Sequence, residues 1–361
     1  MPASRGAAPA LPIAVMPLQH SIRPQRRVYR SVVARAPTRI DFGGGWTDVP
    51  PYPETDGGCV CNIAVARFAS VEIRDAEAAQ GAATVRGQTH DGGPLVAAAV
   101  RRAGLADVEV TLRSDFPIGA GLGGSSAAGV ALQGALAAWR GEPAEGDLAA
   151  LAERSRDIEV LDLGVAGGRQ DHYAAAFGGA LGLWFTDRVE VRRLKLRRDV
   201  RADLEHRLVL VYSGQSRISG DTITTVIDAY RARERRVVNA LSRMKALAEQ
   251  MVGALEAGDV SALGVLVGEH WTHQRALHSA IATERIDAII ERGCAAGALG
   301  AKALGASGGG CVVLVAGPEG ADRVRAAVAP LGDVIPFEID ERGLVVGDRP
   351  AGVPTTDNAW A

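Results

Sequence analysis

Residues 117–128 form the segment of this sequence that is best suited to bind an anion, and they read PIGAGLGGSSAA. Glycines lack a Cβ atom, so the backbone here can bend close to a ligand and point successive N–H groups at it. The Ala- and Leu-rich segment that follows predicts a helix over residues 125–139, and a helix N-terminus carries roughly half a positive charge. We therefore predict a phosphate-binding loop that contains Gly119, Gly121, Leu122, Gly123, Gly124, Ser125 and Ser126.

Other interpretations of this loop are weaker. The loop lacks the Lys of a Walker P-loop, and no acidic residue follows a βαβ strand about 20 positions later, as a dinucleotide fold requires. In the simplest alternative, the glycines only permit a tight turn from strand to helix. Four glycines followed by two serine hydroxyls, which can contact phosphate or Mg²⁺, favour phosphate binding over that alternative.

Two carboxylates accompany this loop. Glu159 lies near the end of a predicted helix over residues 147–163, and Asp171 lies within residues 167–179, which have glycines at both ends. Phosphoryl transfer needs a metal that neutralises phosphate oxygens and a carboxylate that orients or deprotonates the attacking hydroxyl. Because other acidic residues lie close to Glu159, a solvated helix face stays an alternative for that residue.

Hydrophobic periodicity and turn residues predict the elements that must position these side chains. Strands are expected over residues 30–35, 59–65, 70–74, 108–112, 180–185, 207–212, 302–304, 311–316 and 334–339. Further helices are expected up to residue 177 and over residues 221–255, 260–279, 284–297 and 321–331. The charged segment over residues 193–207 has little strand character and is interpreted as an inter-domain joint.

The composition is typical of a globular protein and excludes several functions. Of 361 residues, 47% are hydrophobic, and the formal net charge of −2 gives no field that favours nucleic acid or a membrane as partner. The four cysteines have no zinc-like spacing and are typical of a reducing cytoplasm, where we expect the protein to act. The Ala-, Pro- and Arg-rich residues 1–28 have the pattern of neither a signal peptide nor a membrane span and are expected to form a disordered tail.

Three segments, in this order, resemble the three signatures of the GHMP kinases, the superfamily of galacto-, homoserine, mevalonate and phosphomevalonate kinases. They are residues 36–48 (APTRIDFGGGWTD), the phosphate-binding loop and residues 305–311 (GASGGGC), where Ser307 stands at a position more usually occupied by Gly. The resemblance implies an α+β fold with two domains. A ribosomal protein S5 domain 2-like, ATP-binding domain is expected over residues 29–205 and a ferredoxin-like domain over residues 206–361.

The resemblance also implies roles for individual residues and a requirement for ATP and Mg²⁺. Ser125 and Glu159 match the Mg²⁺ ligands of the family, and Asp171 matches its catalytic base. Arg39 matches the cation of the first signature, which would hold Asp171 ionised and stabilise developing negative charge.

The substrate is implied by residues 43–52 (GGGWTDVPPY), which depart from the galactokinase pattern and resemble the branch containing L-fucokinase and D-glycero-D-manno-heptose 7-phosphate kinase. Both of those enzymes phosphorylate an anomeric hydroxyl, so a small sugar or sugar phosphate is expected. The heptose phosphate is the first candidate because the chain is short and has no attached pyrophosphorylase domain, and L-fucose is the alternative. The residues expected to bind the substrate are Asp41, Gly44, Gly45, Trp46, Thr47, Asp48, Asp171, Gly308 and Gly309.

Two of these side chains carry specific expectations. Asp48 is the expected acceptor of sugar hydroxyls, because a carboxylate can accept two vicinal O–H bonds. Trp46 is expected either to stack on the apolar face of the sugar or to pack inside the protein. The three arginines that could cradle a 7-phosphate are Arg169, Arg217 and Arg275.

Other functional interpretations rest on histidines. His172 next to Asp171 would fit a hydrolase, but no G-x-S-x-G elbow follows a strand. His270 and His273 have no nearby third metal ligand, so a helix-surface or packing role is favoured. Two further alternatives are a protein that binds a sugar or nucleotide as a sensor without turnover, and a kinase of a non-sugar alcohol.

Overall fold

The computed structural model describes residues 31–76, 84–87, 92–143, 146–215 and 220–348. Within these residues, eleven strands form one sheet of seven strands and a second sheet of four. Helices pack against both sheets. The expected tail over residues 1–28 and the side chain of Arg217 lie outside the described residues.

The strands are β1 (Ser31–Gly43), β2 (Gly58–Asp75), β3 (Thr84–Gly87), β4 (Val108–Ser114), β5 (Ala180–Phe185), β6 (Val189–Leu194), β7 (Leu208–Tyr212), β8 (Ala298–Ala303), β9 (Cys311–Ala316), β10 (Asp333–Val334) and β11 (Val345–Asp348). The helices are α1 (Tyr52–Asp56), α2 (Gly92–Arg102), α3 (Gly124–Trp139), α4 (Leu148–Asp157), α5 (Gln170–Phe177), α6 (Arg198–Arg207), α7 (Gly220–Arg231), α8 (Arg235–Ala257), α9 (Val260–Arg275), α10 (Glu284–Ala295) and α11 (Ala321–Val328).

The first sheet is organised around β2, which is 18 residues long. β1 pairs with almost the whole of β2, whereas β5 pairs with its residues 58–63 and β4 with its residues 69–75. β11, β3 and β6 lie beyond β1, β4 and β5 respectively. The expectation of two separate strands over residues 59–65 and 70–74 is wrong, because a register shift at Pro37/Thr38 bends the ladder without ending it.

The second sheet has the strand order β10-β7-β9-β8, and every residue of β9 is buried. Successive side chains of a strand point to opposite faces of the sheet. The odd-numbered residues of β9 accordingly belong to a hydrophobic core that continues into the first sheet. Its even-numbered residues belong to a second core, which α10 and α11 help to form.

Most predicted helices are confirmed, with two corrections. The predicted helix over residues 221–255 is broken into α7 and α8 near Arg233, whose φ of 57° lies in the left-handed region. Periodicity did not reveal this break, because both helices contribute buried residues to the second core. The predicted joint over residues 193–207 contains the end of β6 and the whole of α6.

The last described residues return to the first sheet. β11 pairs antiparallel with β1, and Ile339 forms an isolated bridge with Val65 of β2. The expected strand over residues 334–339 is limited to β10, at Asp333–Val334. The first sheet is therefore completed by residues from both ends of the described chain, while the division at residue 205 stays a prediction.

A buried ion pair connects the two sheets. The ammonium group of Lys302 in β8 donates to the backbone oxygen of Asp41 in β1 at 2.9 Å and to its carboxylate Oδ2 at 2.8 Å. The Lys302 side chain is 0% exposed and that of Asp41 is 3% exposed. Burial alone raises the pKa of Asp41, but the charge of Lys302 and its hydrogen bond, together with the nearby His270 and Arg39, outweigh burial and hold this pKa below its ordinary value. The pair therefore keeps two charges in an interior that would otherwise exclude them.

Lys302→Met should lower the free energy of unfolding by about 3–5 kcal/mol, because it leaves the carboxylate of Asp41 buried without its partner. Urea denaturation of the purified variant measures this loss. Arg231→Met is the matched control, since it breaks an ion pair with Asp228 in which both side chains are 64% exposed. The control should lose less than about 1 kcal/mol. Equal losses in the two variants would contradict this account of the buried pair.

Candidate active site

Two of the three glycine-rich segments are in direct contact between the two sheets, and the remaining one continues from the end of β1. We call residues 43–48 the first glycine loop, residues 117–124 the second and residues 305–310 the third. The backbone N–H of Arg39 donates to the Leu122 oxygen at 3.0 Å, and that of Cys311 donates to the Ala120 oxygen at 2.7 Å. These bonds attach the second loop to β1 on one side and to the start of β9 on the other.

The close contact of the loops explains two of their glycines. A Cβ atom at Gly121 would lie 2.8 Å from the Leu304 oxygen, and one at Gly310 would lie 2.8 Å from the Ala120 oxygen. Both glycines also have positive φ angles, of 72° and 78°. Any larger residue would push the loops apart, so the sequence pattern here reflects backbone packing as well as ligand binding.

Arg39 and Asp171 form the central ion pair of the site. The Nε of Arg39 donates to Oδ1 of Asp171 at 2.8 Å, and Nη2 donates to Oδ2 at 2.9 Å. Nη1 of the same guanidinium donates to the Gly121 oxygen at 2.5 Å. The Arg39 side chain is 3% exposed, whereas that of Asp171 is 26% exposed. Arg39 thus binds the carboxylate from the protein interior and leaves part of it accessible to a ligand.

Asp171 lies directly beside the second glycine loop. A Cβ atom placed on Gly123 would lie 3.1 Å from Oδ2 of Asp171. Gly123 has a φ of 73° and immediately precedes α3, so the loop turns in the left-handed conformation just before the helix begins. The partly exposed carboxylate of Asp171 therefore lies beside the N-terminus of α3.

Glu159 reaches the same helix N-terminus from the end of α4. The predicted helix over residues 147–163 changes at Ile158 into a wider turn, in which the Leu163 N–H donates to the Ile158 oxygen at 3.1 Å. Such π-type turns occur often at functional sites. Oε1 of Glu159 accepts a short hydrogen bond from the exposed hydroxyl of Ser125, and Oε2 accepts one from Ser126 at 3.3 Å.

The electrostatic surroundings keep Glu159 ionised. Burial on its own raises the pKa of this carboxyl group. The neighbouring His172 and the hydroxyl groups of Ser125 and Ser126 outweigh that effect, so the pKa lies below its ordinary value. A solvated helix face, the alternative open from the sequence, does not fit a side chain that is 13% exposed.

The pair formed by Ser125 and Glu159 suits Mg²⁺. Mg²⁺ prefers oxygen ligands and keeps several waters, so one or two protein ligands together with phosphate oxygens suffice. An ionised carboxylate and an exposed hydroxyl already in contact provide that donor set. Among the described residues, no group of three or more His, Cys, Asp or Glu side chains could hold a metal without such a phosphate.

The first glycine loop is held by contacts that the sequence did not reveal. The Thr47 hydroxyl donates to the Gly44 oxygen at 2.7 Å and accepts from the Cys59 N–H at 3.1 Å. The Gly44 N–H donates to Nε2 of His270 at 2.8 Å, and His270 is completely buried. Trp46 is also buried and belongs to the second core together with Tyr52. Of the two expectations for Trp46, packing is therefore the one that its position favours.

Asp48 fixes the N-terminus of α5, the helix that carries Asp171. Its Oδ2 accepts from the backbone N–H groups of Arg169 at 2.8 Å and Gln170 at 2.9 Å. Its Oδ1 has no hydrogen-bond partner among the described residues. Burial raises the pKa of Asp48 to about 6, although the two N–H groups oppose this shift. One oxygen of Asp48 therefore holds the start of α5, and the other is buried without a partner among the described residues.

Three glycines that were expected to bind the substrate, one in the first loop and two in the third, are enclosed by other parts of the protein. A Cβ atom on Gly45 would lie 2.5 Å from Oδ2 of Asp41, so this glycine makes room for the buried ion pair. In the third loop, Gly308 and Gly309 are buried, and the Gly308 N–H donates to the Ile281 oxygen at 2.9 Å. Ser307 has a φ of 69°, which explains why Gly is more usual at its position.

Two of the three arginines expected to cradle a phosphate, those within the described residues, already have acidic partners. Nε of Arg169 lies 3.3 Å from Oε1 of Glu153, and Nη2 of Arg275 lies 3.0 Å from Oδ2 of Asp287. Sequence reasoning also missed Lys302, although a lysine within an otherwise apolar strand is a signal of a buried partner. The structure thus brings the second glycine loop, Arg39, Asp171 and Glu159 together, and it commits most side chains of the first loop to packing.

Comparisons with known proteins identify the family of this chain. The family model described as GHMP kinases N terminal domain matches residues 88–179, and that described as GHMP kinases C terminal matches residues 251–332. A D-glycero-alpha-D-manno-heptose 7-phosphate kinase of Campylobacter jejuni is 30% identical over 64% of this chain and 68% of the relative. This chain therefore belongs to the GHMP kinases, which are phosphotransferases with an alcohol group as acceptor.

Two further proteins show how far the similarity extends. The L-fucokinase/L-fucose-1-P guanylyltransferase of Bacteroides fragilis is 28% identical to this chain over 90% of its length. The relative is much longer, and the similarity covers only 39% of it. A D-glycero-D-manno-heptose 1-phosphate kinase from Bacteroides thetaiotaomicron has a crystal structure that is 26% identical, with a TM-score of 0.72. That alignment covers 89% of this chain and 100% of the other. No helix among the described residues has the length and apolar character needed to cross a membrane.

Asp48→Asn should change how stability depends on pH. In the parent, the folded-state pKa of about 6 exceeds the ordinary 3.8, so the folded protein binds more protons in this window and its stability falls as pH rises through it. The asparagine oxygen can accept the same two N–H bonds but does not titrate. Relative to the variant, the parent should lose about 2 kcal/mol between pH 4.5 and pH 7.5, measured by urea denaturation. A difference between the two proteins that is equal at both pH values would contradict the buried carboxylate.

Proposed function

We propose that this chain transfers the γ-phosphoryl group of ATP to a hydroxyl of a sugar. The observation that carries the proposal is the position of Asp171, whose carboxylate is paired with Arg39 and lies beside the N-terminus of α3. A phosphate held by that N-terminus would have a carboxylate on one side and the pair of Ser125 and Glu159 on the other. This is the arrangement that transfer to a hydroxyl group requires.

Each group of the chain has a defined part in the proposed reaction. The backbone N–H groups of the second glycine loop and the dipole of α3 bind the phosphates of ATP. Ser125 and Glu159 would hold Mg²⁺, which would neutralise phosphate charge when it is bound. Asp171 orients the acceptor hydroxyl and takes its proton. Arg39 fixes the carboxylate of Asp171 and stabilises negative charge that develops on the transferred group.

Positioning contributes more to this mechanism than proton affinity does. Arg39 makes two hydrogen bonds to the carboxylate of Asp171, and together they fix the position of both oxygens. A carboxylate is a weak base towards an alcohol, so its main contribution is to hold the hydroxyl in line with the phosphate. The contact between Arg39 and the Gly121 oxygen adds to this effect, because it ties the base to the loop that binds the phosphates.

The first candidate acceptor is the anomeric hydroxyl of D-glycero-D-manno-heptose 7-phosphate. The Campylobacter jejuni relative and the Bacteroides thetaiotaomicron structure, both named as heptose phosphate kinases, support this choice. L-Fucose is the second candidate, supported by the Bacteroides fragilis relative, whose similarity covers more of this chain. In either case the candidate acceptors of bonds from sugar hydroxyls are Asp48 Oδ1 and Asp41 Oδ1, because neither buried oxygen has a partner among the described residues.

Asp171→Asn should lower kcat by about 10²–10⁴-fold, because asparagine keeps the volume of the side chain but can neither take the proton nor accept both bonds from Arg39. Binding of a non-hydrolysable ATP analogue, measured by calorimetry, should stay within about threefold of the parent value, since the second glycine loop is unchanged. Asp322→Asn is the control, because that side chain is 92% exposed on α11. An Asp171→Asn variant that turns over at the parent rate would exclude Asp171 as the base.

A panel of sugars and one non-sugar alcohol identifies the acceptor. The kcat/KM of acceptor-dependent ADP release should be highest with D-glycero-D-manno-heptose 7-phosphate and lower with L-fucose, galactose and the non-sugar alcohol mevalonate. If kcat/KM is higher for L-fucose, then L-fucose and not the heptose phosphate is the substrate, and the proposed chemistry is unchanged. Tight binding of a sugar without ADP release from any member of the panel would contradict the kinase itself.

A further inference from the structure

His172 follows the proposed base along α5 but points to a different partner. Its ring is 2% exposed. Nε2 lies 3.1 Å from Oε2 of Glu159 and 3.3 Å from the hydroxyl of Ser126, and Nδ1 lies 3.1 Å from the hydroxyl of Ser155. Every nitrogen of this buried ring therefore has a polar neighbour, and one neighbour is the proposed metal-binding carboxylate.

The chemistry of these neighbours fixes the direction of one hydrogen bond. An ionised carboxylate only accepts, so Nε2 must carry the hydrogen that points to Glu159. The Ser155 hydroxyl can donate to Nδ1 or accept from it, so it pairs with this nitrogen in either case. Ser155 is completely buried, so its hydroxyl holds the ring in this orientation within the interior.

The two oxygens of Glu159 are thereby given different tasks. Oε2 faces His172 and Ser126, which are both buried. Oε1 faces Ser125, whose side chain is exposed at the start of α3. By occupying Oε2, the histidine leaves Oε1 as the oxygen that is directed at the site of the phosphates.

A glycine in the middle of α3 makes room for this arrangement. A Cβ atom placed on Gly129 would lie 2.3 Å from the Ser155 hydroxyl oxygen. Glycine weakens a helix relative to alanine, and the residues around Gly129 are mainly alanine. The absent side chain at Gly129 therefore creates the space in which Ser155 contacts His172.

We propose that Gly129, Ser155 and His172 act together as a positioning relay that orients Glu159 toward Mg²⁺. His172 is a positioning residue in this proposal, because it acts through Glu159 and touches neither metal nor substrate. The relay rests on the proposed function, since it takes Mg²⁺ bound with ATP as the ligand of Glu159. Asp171 and His172 are consecutive residues of α5. This one helix would therefore determine both the orientation of the metal ligand and the position of the base.

The test measures how Mg²⁺ affects nucleotide binding, with no sugar present. Calorimetry with a non-hydrolysable ATP analogue is run with and without Mg²⁺ on the parent, His172→Leu and His172→Gln. Leucine fills the space without a donor, whereas glutamine restores an N–H group. We expect His172→Leu to weaken the apparent affinity for Mg²⁺ by about 10-fold or more, with binding of the metal-free nucleotide unchanged. His172→Gln should recover most of the loss.

Two variants outside the ring test the rest of the relay and guard against misfolding of His172→Leu. Ser155→Ala and Gly129→Ala should each weaken the apparent Mg²⁺ affinity in the same direction, by removing or displacing the hydroxyl that orients the ring. His206→Leu is the control, because His206 is exposed on α6. A purely structural role would lower the melting temperature of these variants without changing the ratio of affinities with and without Mg²⁺.

The outcomes separate the relay from the proposed function. If the parent binds the nucleotide with the help of Mg²⁺ while His172→Leu, Ser155→Ala and Gly129→Ala all match it, the relay is wrong and the kinase proposal stands. If the parent itself shows no Mg²⁺-dependent nucleotide binding, both are overturned. Loss in all three variants together with recovery in His172→Gln supports the relay.

Discussion

The buried charge of Arg39 constrains the rest of the site. A guanidinium that is almost completely removed from water must be paired, because an isolated charge in the interior is strongly unfavourable. Arg39 meets this requirement with the carboxylate of Asp171 and the backbone oxygen of Gly121, and its own N–H group binds the Leu122 oxygen. One residue of β1 therefore fixes both the phosphate-binding loop and the helix that carries the proposed base, and neither can move without exposing or unpairing a buried charge.

The glycines contribute to the same arrangement, because they allow the backbones of two loops to come into contact. Gly121 and Gly310 allow the second and third loops to touch, which a Cβ atom at either position would prevent. The ion pair between Lys302 and Asp41 then connects the strands on which the first and third loops depend. The site is thus formed by backbone contact between two sheets, and its polar side chains are pre-oriented by partners that are themselves buried. Such preorganisation is how a phosphotransferase lowers the cost of placing three charged groups around one phosphate.

The sequence predicted the parts of this site that depend on local pattern. The second glycine loop and the helix after it follow from residue types and spacing, whereas the pairing of Arg39 with Asp171 was implied only by the family resemblance. What the sequence did not reveal are partners far apart in the chain, such as Lys302 for Asp41 and His270 for Gly44. Asp48 illustrates the difficulty, because an N-cap supplied from 121 residues away looks, in the sequence, like a free carboxylate in a substrate loop. Periodicity likewise cannot reveal the break near Arg233, since it records only which residues are apolar.

A crystal structure of the chain with Mn²⁺ in place of Mg²⁺ and a non-hydrolysable ATP analogue tests the central claim most directly. Anomalous scattering locates Mn²⁺ independently of the surrounding atoms. We expect the Mn²⁺ peak in contact with the Ser125 hydroxyl and Oε1 of Glu159, and the terminal phosphate between the N–H groups at the start of α3 and the carboxylate of Asp171. A terminal phosphate bound away from Asp171, with Mn²⁺ on other ligands, would contradict the convergence on which the proposed reaction depends.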